Sequence, residues 1–177
     1  LYTDYVELKV GSDSSPNITT PTFSPSTAYT DNNIDCNATP TDAENDTLTV
    51  EWFWYNSTGG VAFSGNETGL SNGTNALIAA LGSGNTTKGE TWNCSVRSFD
   101  GTSYSGWDSA EITIQNSEPT QDTPYITPET AYTSNNLTCT WNNTYDADGD
   151  PVANITNWYK NNKSLTVLYM PFEGGSN

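Results

Sequence analysis

The chain has 177 residues, a length that fits one or two domains, and 33% of them are hydrophobic, with six Trp, ten Tyr and five Phe among them. Acidic residues outnumber basic ones by 21 to 5, and the formal net charge of −16 excludes nucleic acid as a partner, because no basic patch can replace the counterions of a phosphate backbone. No apolar run reaches the length of a membrane-spanning helix, so we expect no direct membrane insertion.

The first 21 residues combine a strand-like segment with a linker. Residues 1–10 contain the apolar run DYVELKV, which we interpret as the last strand of a preceding or partner domain. Residues 11–21 are rich in Ser, Thr and Pro, a composition typical of a linker. Because the chain begins with Leu1 and not with Met, we expect it to be processed or excised from a longer protein.

Residues 22–115 predict a complete all-β sandwich. Apolar and polar residues alternate with period two between turns that contain Gly, Asn and Pro, and no stretch has convincing helical spacing. The inward positions fall on five predicted strands, namely Ile34 and Cys36, then Val50, Trp52 and Trp54, then residues 76–81, then Trp92, Cys94 and Val96, and finally Ala110, Ile112 and Ile114.

An internal repeat relates residues 21–55 to residues 124–159, with Cys36 and Cys139 lying 103 residues apart (139 − 36 = 103). A second linker at 116–124 precedes a partial domain at 125–177, which supplies A, B and C strands up to Asn161 and no F strand. We therefore expect tandem sandwiches, the second of them incomplete. A half-sandwich has open edges, so its missing strand should come from elsewhere, either this chain's own N-terminal strand or a neighbouring copy.

Asn-x-Ser/Thr triplets, the acceptor signals for N-linked glycans, are twice as frequent as chance would make them. With 21 Asn residues, chance would give roughly five or six triplets. Alternation sends one acceptor, Asn154, to the same face as the core residue Trp158, unless a β-bulge intervenes. The twelve predicted glycosylation sites are Asn17, Asn37, Asn45, Asn56, Asn66, Asn72, Asn85, Asn93, Asn136, Asn142, Asn154 and Asn162.

The pattern of Cys36, Trp54 and Cys94 resembles the immunoglobulin-like superfamily, with a Cys on strand B, a Trp on strand C and a Cys on strand F. The resemblance implies a Cys36–Cys94 disulfide and leaves Cys139 either unpaired or paired in trans. The family's F strand carries a Tyr two residues before its Cys, whereas this chain has Trp92, whose indole N–H is an alternative donor.

The acidic turns with their aromatic strands, DAENDTLTVEWFW and DADGDPVANITNW, also resemble PKD-type and cadherin-like repeats of microbial surface proteins, including archaeal envelope and filament proteins. The later segment TVLYMPFEGG is similar to the opening strand of laminin-G-like jelly rolls. These resemblances imply adhesion, scaffolding or an envelope function.

The two acidic turns are candidate calcium sites, because carboxylates at alternate positions can gather several hard oxygen ligands around one point. The alternative is an ordinary turn, in which Asp caps backbone amides and Gly149 supplies a positive φ. Calcium and N-linked glycans are the only cofactors that the sequence raises. The candidate ligands are Asp42, Glu44 and Asp46 in the first copy and Asp146, Asp148 and Asp150 in the second.

Four aromatic residues are candidates for contacts with a partner. Phe53 and Tyr55 lie on the opposite face of strand C from Trp52 and Trp54, and we interpret them as an interface with another module or subunit, with cover by the adjacent loop as the alternative. Tyr104 and Trp107 are candidates to stack on a sugar ring, although we favour packing over the end of the sandwich.

No motif supports catalysis: the chain has no His, no G-x-S-x-G and no phosphate-binding Gly loop, so we expect no enzyme. The sequence predicts a structural subunit of an extracellular filament or surface layer, heavily N-glycosylated and assembled head to tail with copies of itself. The alternative is an adhesion or carbohydrate-binding module of a larger secreted protein.

Overall fold

A computed structural model describes residues 11–165, which form two compact units divided between Ser117 and Glu118. The predicted strand at residues 1–10 and the laminin-G-like segment lie outside the described residues. Among residues 11–165 the only helix is one short 3₁₀ turn, Ser83–Asn85, so none has the length and apolar character of a membrane span.

The first unit contains ten strands. The strands expected around Cys36, Trp54, Leu81, Cys94 and Ile112 are all present, and those around Cys36 and Cys94 alternate between buried and half-buried side chains, as the period-two pattern predicts. The strands are β1 Asn17–Ile18, β2 Thr22–Ser24, β3 Ala28–Tyr29, β4 Ile34–Ala38, β5 Pro40–Thr41, β6 Leu48–Tyr55, β7 Val61–Leu70, β8 Ala76–Leu81, β9 Thr91–Phe99 and β10 Asp108–Gln115.

Two sheets enclose the core of this unit. One has three strands in the order β2-β4-β8, and the other has five in the order β3-β10-β9-β6-β7. Pairing is antiparallel except between β3 and β10, and β1 pairs separately with β5. This arrangement is an immunoglobulin-like β-sandwich, which confirms the predicted fold class. Residues 17 and 18 of the predicted linker already belong to a strand.

The disulfide Cys36–Cys94 joins the two sheets through β4 and β9, as the resemblance implied. Both cysteines and Trp54 are fully buried. Trp54 stacks on Phe23 from the opposite sheet, with 5.8 Å between ring centroids, and meets Trp92 edge-on at 6.5 Å. The Trp92 indole N–H donates to Oε2 of Glu90 at 3.0 Å. The family's Tyr at this position donates a hydrogen bond to the backbone, so Trp92 replaces it with a hydrogen bond to a side chain.

Strand β7 is one that the sequence did not predict. Eight of its ten side chains are exposed, and its Gly, Asn and Ser residues give no alternating apolar pattern. It exists because β6 offers a long edge to pair with, and Trp52 of β6 lies directly opposite Gly65 of β7. The indole of Trp52 occupies the space beside Gly65 that any larger side chain would need.

The second unit has four short strands, β11 Tyr125–Thr127, β12 Thr138–Thr140, β13 Tyr159–Lys160 and β14 Lys163–Ser164. β11 pairs with β12, and β13 pairs with β14. The prediction of a C strand leading to Trp158 is wrong for residues 151–158, which form no strand. The equivalent strand of the first unit, β6, is held on both sides by β7 and β9, and residues 118–165 contain no counterpart of either.

The internal repeat is visible as matched local geometry. Phe23 lies opposite Cys36 between β2 and β4, and Ile126 lies opposite Cys139 between β11 and β12. In both copies a Tyr backbone N–H donates to an Asn side chain three residues later, Tyr29 to Asn32 and Tyr132 to Asn135. Equivalent residues thus produce equivalent turns, one with a closed core behind it and one without.

We expect Gly65→Ala to destabilise the first unit by about 1–3 kcal/mol, because a Cβ at this position would lie 2.6 Å from Cζ2 of Trp52 and displace the indole. Gly60→Ala is the matched control, since its Cβ would meet nothing closer than 3.6 Å. Urea unfolding followed by Trp fluorescence measures both. Equal unfolding midpoints for the two variants would contradict the tight contact.

Candidate functional site

The acidic turn at residues 42–46 connects β5 to β6 and contains a buried carboxylate. Asp42 is 8% exposed, and its Oδ2 accepts the backbone N–H of Asp46 at 3.1 Å. Its other oxygen, Oδ1, is buried and has no hydrogen-bond partner among the described residues. A buried carboxylate oxygen without a partner is costly unless a donor or a cation reaches it, so this atom is the part of the turn best suited to bind one.

Acidic residues from distant parts of the chain approach the same turn. Loss of water around Asp46, followed by the negative charges of Asp42, Asp13 and Asp100, raises the pKa of Asp46 above 3.8. Ser14 donates through its N–H and hydroxyl to Oε2 of Glu44, at 3.3 and 2.6 Å. The sequence pattern did not include Asp13 or Asp100, because only the folded chain brings them close.

Asp100 is held in its charged form by its own loop. Oδ1 accepts the backbone N–H groups of Thr102 and Ser103, both at 2.7 Å, and Oδ2 accepts the Ser103 hydroxyl at 3.0 Å. These hydrogen bonds, with that of the Ser103 backbone first, hold the pKa of Asp100 below its ordinary value. Asp100 therefore contributes a fixed negative charge to this end of the sandwich.

The second acidic turn brings three carboxylates together. Oxygens of Asp146, Asp148 and Asp150 lie within 4.8 Å of one another, the one such group among residues 11–165, and Asp146 is 7% exposed. Oδ1 of Asp146 also accepts the N–H groups of Asp148 and Asp150, at 2.9 and 3.1 Å, and Gly149 has a φ of +75°. The capping turn and the carboxylate cluster coexist, and calcium binding stays a prediction.

An aromatic stack covers the outer face of the five-stranded sheet beside β9. The Tyr104 ring lies 4.5 Å from the Phe99 ring and 4.0 Å from the Arg97 guanidinium carbon. Arg97 and Phe99 stand two residues apart on one face of β9, so the Tyr104 ring contacts two neighbouring side chains of that face. Trp107 continues the stack, 4.6 Å from Arg97 and 5.3 Å from Phe53.

The base of this stack is an ion pair across strands. Glu51 on β6 lies directly opposite Arg97 on β9, and its Oε2 accepts the Arg97 Nε–H at 2.6 Å. The pair fixes the guanidinium that the rings stack on, and it is partly exposed, so its own contribution to stability is small. Neither residue was predicted from the sequence as part of a site, although outward charged positions on neighbouring strands were the available signal.

The stack changes the interpretation of the four aromatic candidates. Tyr104 and Trp107 lie on the outer sheet face, not over the end of the sandwich, and remain 48% and 46% exposed. Phe53 and Tyr55 are half-buried, and Trp107 covers Phe53. The Tyr104 ring contacts its own unit through Phe99 and Arg97, and stacking of a sugar on its exposed part stays a prediction. The interface at Phe53 and Tyr55 remains a prediction.

The twelve predicted glycan acceptors differ in accessibility. Asn154 is exposed and donates to the Thr144 hydroxyl at 3.1 Å, and because residues 151–158 are not a strand, the conflict expected from alternation does not arise and no bulge is needed. Asn37, Asn56, Asn72 and Asn93 are half-buried, and the other acceptors, Asn17, Asn45, Asn66, Asn85, Asn136, Asn142, Asn154 and Asn162, are exposed.

Cys139 is half-buried and forms no disulfide. It lines a cavity of about 200 Å³ together with Trp141, Ile155 and residues near them. The equivalent space in the first unit is filled, since Cys36 bonds to Cys94 and is fully buried.

No protein family and no curated protein matches the chain. Among solved structures, it is similar to the PKD domain of an M14-like peptidase from Thermoplasmatales archaeon SCGC AB-540-F20, with 19% identity and a TM-score of 0.43 over 59% of this chain and 99% of that one. It is also similar to the β-glucuronidase of Parabacteroides merdae, with 8% identity and TM-scores of 0.45 and 0.46 over 61% of this chain and 14% of the enzyme. The strand order and the disulfide define the first unit as an immunoglobulin-like sandwich, and these similarities assign no activity.

We expect Asp46→Asn to stabilise the chain at pH 7. A raised pKa means that the folded state holds this proton more tightly than the unfolded state, so ionisation of Asp46 removes stability as the pH rises above 3.8. The gain should shrink as the pH falls through 3.8 and vanish toward about pH 3, where the carboxyl is mostly protonated in both states. Asp100→Asn should act in the opposite direction, because the pKa of Asp100 is lowered. Thermal melts from pH 3 to 7 would contradict this if both variants shifted alike.

Calorimetric titration of the full chain with Ca²⁺ should show saturable binding, with a dissociation constant of roughly 10⁻⁴–10⁻³ M, as in extracellular modules. Asp148→Asn should abolish the heat from the second turn, because it removes one of its three clustered carboxylates. Asp122→Asn, an acidic position of the same unit outside the cluster, is the control. Unchanged binding in Asp148→Asn would exclude the second turn.

Proposed function

We propose that this chain is a structural segment of an extracellular filament or surface layer, in which copies associate head to tail by sharing β-strands and carry N-linked glycans. The observation that carries the proposal is the open second unit. The disulfide is compatible with an oxidising, extracellular compartment, and the net charge of −16 favours solubility of unassembled copies.

Within residues 118–165, the equivalents of the first unit's core residues are only partly buried. Cys36 and Trp54 are fully buried, whereas their repeat equivalents Cys139 and Trp158 are only half-buried. A large uncovered apolar surface marks a place for another chain segment. Nine large hydrophobic residues of residues 118–165 are exposed, namely Tyr125, Ile126, Tyr132, Leu137, Tyr145, Val152, Ile155, Tyr159 and Leu165.

The first unit indicates what such a cover would resemble. There, Cys36 is covered by β9, whose inward residues Trp92, Cys94 and Val96 alternate with outward ones. A strand with the same alternation would fill the cavity beside Cys139, and a cysteine on it would pair with that thiol. Addition of a strand supplies backbone hydrogen bonds as well as apolar cover, which is why it is an effective means of assembly.

The two edges of the five-stranded sheet differ in how accessible they are to a further strand. The edge strand β7 carries the acceptor Asn66 near its middle, where a glycan would prevent another strand from pairing. At the opposite edge, β10 pairs with β3 only at Ile114 and Gln115. The backbone N–H and C=O of Ile114 bond to Glu90 and Gly89, on the β9 side of the strand. Backbone groups alternate in direction along a strand, so those of Ser109, Glu111 and Thr113 point the other way, toward the open edge.

The distribution of predicted glycan acceptors also favours assembly through the β10 edge. Residues 94–135 contain no Asn-x-Ser/Thr triplet, the longest such interval between acceptors, and this interval includes β10. Glycans on the other surfaces would restrict contacts to the bare edge, and a single available edge favours a linear array over irregular aggregation.

The alternative, an adhesion or carbohydrate-binding module, would use Trp107 and Tyr104. In the structure Tyr104 packs against Phe99 and Arg97, and Trp107 packs against Arg97 and Phe53. Tyr104 and Trp107 remain 48% and 46% exposed, and the alternative rests on that exposure alone.

Electron microscopy of the native material with calcium present should show regular filaments or lattices. Removal of residues 1–10 should abolish them, because these residues are the strand that the sequence predicts for a partner domain. Trp107→Ala, which alters the aromatic stack but neither the open second unit nor the predicted strand, is the control and should still assemble. Dispersed monomers at every concentration would refute the proposal.

A further inference from the structure

Two of the glycan acceptors, Asn45 and Asn72, contact each other across the acidic turn. Asn72 follows β7, and its Nδ2 donates to the Asp42 carbonyl oxygen at 2.6 Å and to Oδ1 of Asn45 at 3.0 Å. Its Oδ1 accepts the backbone N–H of Asp42 at 3.0 Å. One side-chain amide therefore makes three hydrogen bonds that hold the turn at 42–46 against the turn after β7.

A neighbouring backbone bond shows that this contact is part of the fold. The N–H of Gly73 donates to the carbonyl oxygen of Pro40 at 2.9 Å, in the strand just before Asp42. Asn72 is half-buried, whereas Asn45 is exposed and adopts a φ of +66°, a conformation that Asn tolerates well in turns.

N-glycosylation has opposite consequences for the two amides. The modification replaces one hydrogen of Nδ2 with a bond to the sugar, so the nitrogen keeps a single donor. Asn72 uses both donors, and a sugar on its nitrogen would occupy the position of the Asp42 carbonyl or of Asn45 Oδ1. Asn45 contributes only Oδ1 to the contact, and that oxygen remains an acceptor after its own Nδ2 is modified.

We propose that Asn72 is a structural clamp and not a glycan acceptor, and that Asn45 carries the glycan of this pair. A glycan at Asn72 and the folded turn at 42–46 exclude each other. The assignment of Asn45 rests on the proposed glycosylation, whereas the clamp rests on the hydrogen bonds alone.

The clamp also explains how the turn positions its buried acid. Asn72 binds both the N–H and the carbonyl oxygen of Asp42, so it fixes the backbone from which the partnerless Oδ1 of that residue projects. Loss of the clamp would release Asp42 and its bond to the Asp46 N–H together.

Two substitutions separate the roles of Asn72. Thr74→Ala destroys the acceptor triplet but keeps the amide, and Thr74 is exposed; Asn72→Ala removes both. We expect Thr74→Ala to leave the thermal midpoint of the full chain unchanged and Asn72→Ala to lower it by roughly 5–10 °C, the loss expected for several partly buried hydrogen bonds. An equal effect of the two variants would overturn the clamp.

Glycopeptide mass spectrometry of the native chain tests the acceptor. We expect sugar on Asn45 and none on Asn72, and an occupied Asn72 in the folded protein would overturn the inference. If sugar is absent from all twelve triplets, the glycosylation in the proposed function and the assignment of Asn45 both fail, and the comparison of Thr74→Ala with Asn72→Ala still decides the clamp.

Discussion

The packing of Trp54 beside the Cys36–Cys94 disulfide, between two sheets, is the interaction on which the first unit depends. Trp54 lies directly opposite Cys94 on the neighbouring strand and stacks on Phe23 from the other sheet, so its side chain packs between the two layers at the register position of their covalent link. A disulfide with a sequence separation of 58 stabilises by about 4 kcal/mol on the loop-entropy argument. Because the two sheets are joined in this way, they hold loops that have little stability of their own in fixed positions.

The functional features are arranged on this frame by its loops. One end of the sandwich collects Asp13, Asp42 and Asp100, which are distant in the chain and concentrate negative charge around Asp46. On the outer sheet face, the loop after β9 folds back so that Tyr104 enters the stack beside Arg97. Each arrangement needs the sheet register first, because a slip of one residue would turn Arg97 inward.

The second unit shows how much structure local sequence produces in residues 118–165, which form no buried hydrophobic cluster. Tyr132 and Asn135 form the same turn as Tyr29 and Asn32, and Ile126 faces Cys139 as Phe23 faces Cys36. These features depend on contacts within about a dozen residues. The C strand depends on partners on both sides, and residues 118–165 do not provide them, so the pattern before Trp158 stays irregular.

The sequence by itself determined the all-β class, the strands around the buried Cys and Trp residues and the acidic turns, because period-two alternation and turn residues act locally. It did not indicate β7, whose polar residues are ordered only by the edge of β6. Nor could it show that Asn72 hydrogen-bonds to Asp42 or that Tyr104 packs against Arg97. Those contacts join residues whose separation in the chain carries no periodic signal, so only the tertiary structure, by fixing which loops meet, decided them.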